Sequence, residues 1–175
     1  MGKGCHGVVQ AMTTLEQQLP FPLRGMDSDN GSEFINAHLW TFCQQRSAGS
    51  AVPFTRSRPY KKDDNAPVEQ KNWTHVRKLV GWERYDSHAA LEALNALYAD
   101  LRIFQNLFQP SMKLVCTVRV GSRLIRRYGT PQTPFERVRA CPEAELRKVA
   151  ALKRVRETTD PFALSQRIAQ HLERL

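Results

Sequence analysis

The chain has 175 residues, 41% of them apolar and 25% charged, which suits one domain, or one domain with a helical tail, large enough to bury a core. It contains neither a run of about 18 apolar residues nor an apolar opening stretch, so the sequence offers no membrane span and no secretory signal, and a cytoplasmic, nucleoid-associated protein is expected. A formal charge of +9 and a pI near 9.8 favour an anionic partner, nucleic acid before acidic lipid.

Gly2, Gly4 and Gly7 have the G-x-G-x-x-G spacing, but that motif must follow a strand, so residues 1–7 read as a flexible amino terminus. Val8, Val9, Met12 and Leu15 recur at helical spacing and predict a short helix over 8–18, ended by Pro20 and Pro22. Residues 23–28 suit a short strand, and Asp29-Asn30-Gly31 is a turn tripeptide. Ser32 can cap a following helix whose apolar face is Phe34, Ile35, Leu39, Phe42 and Cys43. Residues 51–56 read as an edge or terminal strand because of Pro53, and 57–66 as a mobile loop. A helix is expected from about Pro67 to Val80, with proline in its first turn and Gly81 as its stop.

Ser87 caps a longer predicted helix over 87–108, with Leu91, Leu94, Leu97, Leu101 and Phe104 as its inner stripe. Residues 113–128 read as two strands about Gly121-Ser122. Two helices follow over 143–158 and 161–174, split by Asp160-Pro161. The division expected is a core over 1–110, a basic hairpin region over 111–140 and a helical tail over 141–175. Cys5, Cys43, Cys116 and Cys141 are far apart and form no C-x-x-C pair, so reduced thiols are the reading.

Basic residues are clustered. Arg56, Arg58, Lys61, Lys62, Lys71, Arg77 and Lys78 surround one loop and helix. Lys113, Arg119, Arg123, Arg126, Arg127, Arg137 and Arg139 form a second block, opposed only by Glu136. Such clusters can follow a phosphate backbone by releasing its counterions. Asp29 sits where a strand gives way to a glycine turn before a helix, a position at which open α/β sheets form ligand sites. Glu69 falls in the first turn of the next predicted helix and shares a face with Trp73, Val76 and Val80 at about 100° per residue. Paired carboxylates suit magnesium, which takes hard oxygen ligands, and two such ions can clamp the oxygens of a phosphodiester transfer. The structural alternative is that Asp29 caps a helix and Glu69 is a first-turn acid favoured by the macrodipole. Trp73 and Trp82 read as core residues, and Asp63 and Asp64 as loop-solvating or capping acids.

The strings DSDNGSEF (27–34) and FTRSRPYKKDDNAPVEQKNWTHVRKLVG (54–81), with weaker echoes in NLFQPSMKL and TPFERV, resemble DDE transposases and retroviral-type integrases, especially bacterial insertion-sequence transposases. The resemblance spans roughly residues 8–139. It implies an α/β fold: a ribonuclease H-like mixed sheet flanked by helices, incomplete at the amino terminus, followed by a short β-hairpin and C-terminal helices. It implies that Asp29 and Glu69 are the second and third catalytic acids and ligands of Mg2+ or Mn2+. Arg56, Arg58, Lys61, Lys62, Lys71 and Lys78 would then contact DNA.

The 39 residues between Asp29 and Glu69 exceed the usual family spacing, and the only acids before Asp29 are Glu16 and Asp27. Neither matches the family's first catalytic Asp, so a chain truncated at its amino terminus and inert by itself is expected. The implied function is DNA transposition or integration by metal-dependent strand transfer, with a homo-oligomer or a complementing full-length transposase as protein partner. The alternatives are a non-enzymatic DNA-binding or assembly remnant and, less favoured, a nuclease of the same fold.

Overall fold

A computed structural model describes residues 5–28, 37–45, 51–58 and 61–175, which divide between Trp82 and Glu83 into two compact units. In the first unit, helix α1 (Cys5–Gln18) begins three residues before Val8, so part of the supposed flexible terminus is helical. Strand β1 (Met26–Ser28), helix α2 (Ala37–Gln44) and strand β2 (Phe54–Arg56) follow. β1 and β2 pair in parallel, with Met26 opposite Phe54, Asp27 opposite Thr55 and Ser28 opposite Arg56. Parallel strands need a crossover connection rather than a tight turn, and α2 lies within it.

Leu39 and Cys43 of α2 are buried with Val52, whose N–H donates to the Cys43 carbonyl at 3.0 Å. Burial pushes the Cys43 thiol up from its ordinary pKa. Pro53 precedes β2, and its carbonyl accepts the Met26 N–H at 2.9 Å, so the proline ends the strand without removing a ladder donor.

The mixed ribonuclease H-like sheet is not present among the described residues. They hold two separate two-stranded sheets, β1–β2 in parallel and β3–β4 antiparallel. The second pair arises because β3 (Leu114–Val120) turns directly into β4 (Arg123–Tyr128), so each satisfies the other's ladder. Gly121, at φ +61°, supplies the positive φ that a two-residue hairpin turn requires.

The predicted loop over 57–66 is also corrected. Helix α3 (Lys62–Asn72) begins five residues before Pro67, which therefore lies inside it. Asp63 and Asp64 stand in its first turn, where the helix dipole favours negative charge. A π-helical turn (Trp73–Arg77) joins α3 to α4 (Lys78–Val80), and the Lys78 N–H reaches the Trp73 carbonyl five residues back. Gly81, at φ +70°, ends the run as expected.

The second unit comprises α5 (His88–Leu107), the β3–β4 hairpin, α6 (Pro134–Arg139), α7 (Leu146–Thr158) and α8 (Pro161–Glu173). The expected caps are present: Ser87 Oγ accepts the Ala90 N–H at 3.1 Å, and Asp160 Oδ1 accepts the Phe162 N–H at 2.9 Å. α5 packs along α8, with Leu97, Leu101, Leu164 and Ile168 buried. Asp100 on α5 accepts both Arg167 Nε and Nη2 from α8, at 3.0 and 3.2 Å. These bonds hold the Asp100 carboxyl below its ordinary pKa. Leu91, expected in the inner stripe, is exposed instead. Leu107, Phe135 and Val149 form a further buried cluster with Ile103, Phe108, Val138, Ala144 and Leu152 against it.

Leu164 has no exposed surface, so Leu164→Ala is expected to cost about 2–5 kcal/mol in a denaturant titration. Val118→Ala, on the exposed hairpin, is expected to change stability by less than about 0.5 kcal/mol in the same assay.

Candidate functional site

The ends of the parallel strands and the first turns of α3 meet through polar contacts. The Ser57 N–H donates to the Ser28 carbonyl at 3.0 Å, which continues the strand register one residue beyond β2. Ser57 is buried, and its hydroxyl also hydrogen-bonds to Asn65 Oδ1. Arg58 grips Asp64 beside it: Nε donates to Oδ2 at 2.8 Å, Nη2 to Oδ1 at 2.9 Å, and the backbone N–H to Oδ2 at 3.0 Å. Adjacent residues after β2 therefore clasp adjacent residues in the first turn of α3.

This clasp holds the Asp64 carboxyl at a pKa of about 2, first through the Arg58 guanidinium and then through the Arg58 backbone N–H. It also gives the D-N-A string a structural role that sequence reasoning left open. The pairing of R-x-x-x-x-x-D was the available signal, because Arg58 precedes Asp64 by six residues across a turn.

Glu69 lies one helical turn beyond Asn65, so the two project from neighbouring positions of α3. Its side chain is exposed and has no partner among the described residues. Of the face expected around Glu69, Trp73 is 50% exposed while Val76 and Val80 are partly buried, and the π turn breaks the regular angular count at Trp73. Glu69 thus needs no buried partner to offset desolvation. Asp29 lies outside the described residues; the residue before it, Ser28, is the one bonded to Ser57. Asp27 faces solvent and accepts the Thr55 hydroxyl at 2.7 Å.

Of the expected DNA contacts, Arg56, Lys61, Lys71 and Lys78 are exposed and make no ion pair among the described residues. Arg58 is committed to Asp64, and the Lys62 side chain lies outside the described set. Arg77 is also committed internally: it donates to the Gly81 carbonyl at 3.3 Å and stacks 4.2 Å from the Trp82 ring centroid. Trp82 is 73% exposed, so neither it nor Trp73 is a core residue.

A divalent cation needs several hard oxygen donors. The described residues hold no group of three His, Cys, Asp or Glu side chains that could bind one. Glu69 offers a single hard ligand, whereas Asp64 is taken by Arg58 and Asp27 by Thr55. The described donor set does not form a metal site by itself. No helix among the described residues is long and apolar enough to cross a membrane.

The uncharacterized protein y4rM of Sinorhizobium fredii (strain NBRC 101917 / NGR234) is 45% identical to this chain over 135 residues. That segment is 77% of this chain but only 37% of the relative, so the chain spans well under half of that protein. No protein-family model matches the chain. No solved structure matches it.

The clasp gives a pH signature. A depressed carboxylate pKa stabilises the fold above the unfolded value of about 4 and loses that contribution as pH falls through about 2. Asp64→Asn is therefore expected to lower the melting temperature at neutral pH. In thermal melts followed by circular dichroism, the difference from wild type should shrink below pH of about 4 and vanish near 2; a difference constant with pH would contradict the assignment.

Proposed function

We propose that this chain is part of a DNA transposase or integrase that uses metal-dependent phosphodiester strand transfer, with Asp29 and Glu69 as two of its catalytic acids. The observation that carries the proposal is the Ser57–Asn65 and Arg58–Asp64 clasp. It joins the segment after β2 to the helix bearing Glu69, while the Ser57–Ser28 bond ties the same segment to the residue preceding Asp29. The two acids that match the family strings therefore flank one junction in the chain's connectivity.

Mg2+ or Mn2+ is the ion implied by the resemblance. Such an ion would draw charge from the phosphodiester under attack, and Asp29 and Glu69 would be two of its ligands. The chain's own contribution is to orient Glu69 through Asn65 and to hold DNA through Arg56, Lys61, Lys71 and Lys78. Phosphate contacts of this kind position a duplex more than they specify its sequence. Self-association, or assembly with a full-length transposase, belongs to the same proposal.

A non-enzymatic DNA-binding remnant is the second reading. It is favoured by the exposure of Arg56, Lys61, Lys71 and Lys78, which leaves the cations independent of the carboxylates. Strand joining with Mg2+ separates the readings. The chain alone is expected to give no joined product, whereas with the y4rM relative added the strand-transfer reading expects joined product that falls at least about 100-fold on Glu69→Gln. Salt-sensitive DNA binding that survives Asp29→Asn and Glu69→Gln, with no joined product from any form, would establish the remnant instead.

A further inference from the structure

The β3–β4 hairpin carries cations without partners on a surface that nothing else in its unit covers. From Ser111 to Tyr128 every residue is exposed. The stretch from Ser111 to Phe135 contains Lys113, Arg119, Arg123, Arg126 and Arg127 and not one carboxylate. None of those four arginines makes an ion pair among the described residues. The register places Arg123 and Arg127 on one face with Val118 and Ile125, and Arg119 and Arg126 on the other with Thr117 and Leu124. Each face is therefore cationic and partly aliphatic.

The hairpin's root is fixed. The Ser111 N–H donates to the Gln132 carbonyl at 2.9 Å, and the reverse bond is 3.2 Å. Arg137 of α6 holds the Ser111 carbonyl and its hydroxyl, the latter at 3.0 Å. Thr133 and Glu136 close a capping box at the start of α6, where Phe135 is buried. Beyond this root the seven-residue β3 extends about 20 Å at roughly 3.4 Å per residue.

An isolated two-stranded ribbon in water is marginally stable and buries little of its apolar surface. Pairing with a second copy would set two arginine-rich edges against each other, which basic side chains oppose. A polyanion answers both features. The major groove of DNA, about 12 Å wide, admits a two-stranded ribbon, whereas the minor groove at about 6 Å does not without widening.

We propose that the β3–β4 hairpin is a DNA-docking arm that lies in the major groove. Arg119, Arg123, Arg126 and Arg127 meet phosphates, and Val118 and Ile125, which share one face, reach thymine methyl groups. This contact belongs to the second unit and does not rest on the strand-transfer reading.

The test is fluorescence anisotropy of the full chain with a labelled duplex of about 30 base pairs across a salt series. Replacing the four arginines together by Gln (Arg119→Gln, Arg123→Gln, Arg126→Gln, Arg127→Gln) is expected to weaken binding at least about tenfold. The log K against log salt slope should become shallower by about 0.9 for each phosphate that the variant no longer neutralises. The corresponding four Arg→Lys substitutions should keep most of that slope. Dimethyl sulfate footprinting should show guanine N7 protected in the major groove; protection of adenine N3 alone overturns the groove placement.

Wild-type affinity in the Gln variant overturns the proposal, as does equal weakening in the Lys variant. Unchanged DNA binding combined with a drop in solution mass by light scattering assigns the hairpin to pairing between copies instead. Lys71→Gln with Lys78→Gln, measured in parallel, reports on the first unit.

Discussion

The first unit depends on a clasp of neighbouring residues, Ser57 to Asn65 and Arg58 to Asp64. From Asp63 to Asn72, only Asp64 and Asn65 are even partly buried. With no apolar stripe to seat it, α3 takes its bearing from polar contacts at one end. The Arg58 side chain is largely exposed, and an exposed ion pair contributes little free energy. Its value lies in geometry, since a bidentate guanidinium fixes direction as well as distance. The position of Glu69 follows from that fixation rather than from packing.

The second unit is built differently. Its helices bury leucine, isoleucine, valine and phenylalanine side chains, and the Asp100–Arg167 pair spans α5 and α8 over that apolar contact. Arg137 and the Thr133–Glu136 box then root a hairpin that contributes almost nothing to the core. The two units also use positive charge differently. In the first, Arg58 and Arg77 hold structure and the exposed lysines remain available. In the hairpin, the arginines themselves are available.

Features governed by local chemistry were legible in the sequence. Ser87 and Asp160 cap the helices they were expected to cap, Gly81 stops a helix, and Gly121 turns the hairpin. The box at Thr133 and Glu136 was equally local but passed unread, because α6 has only six residues and little periodicity. Features set by distant partners were not legible. Pro67 looks like a first-turn residue, yet the segment before it is drawn into α3 by residues that follow β2. The family strings implied a continuous sheet, but strand pairing depends on which edges meet, and no string of letters records that. The exposure of Trp73 and Trp82 has the same origin, since a large apolar side chain is buried only where another element arrives to cover it. Of the candidate site, the partners of Asn65 and Asp64, namely Ser57 and Arg58, came only from the structure.

The π turn at Trp73–Arg77 also changes how the chain should be compared with its relatives. Counted in residues, it behaves as an insertion: bonding five residues back spends more chain on one turn than an α-helix does. Two proteins that share every letter from Glu69 to Lys78, but differ in whether this turn is wound as α or π, would present those two side chains at different bearings around one axis. Identity along the alignment and equivalence of helical face therefore part company at Trp73, and substitutions beyond it are better compared by bearing than by column.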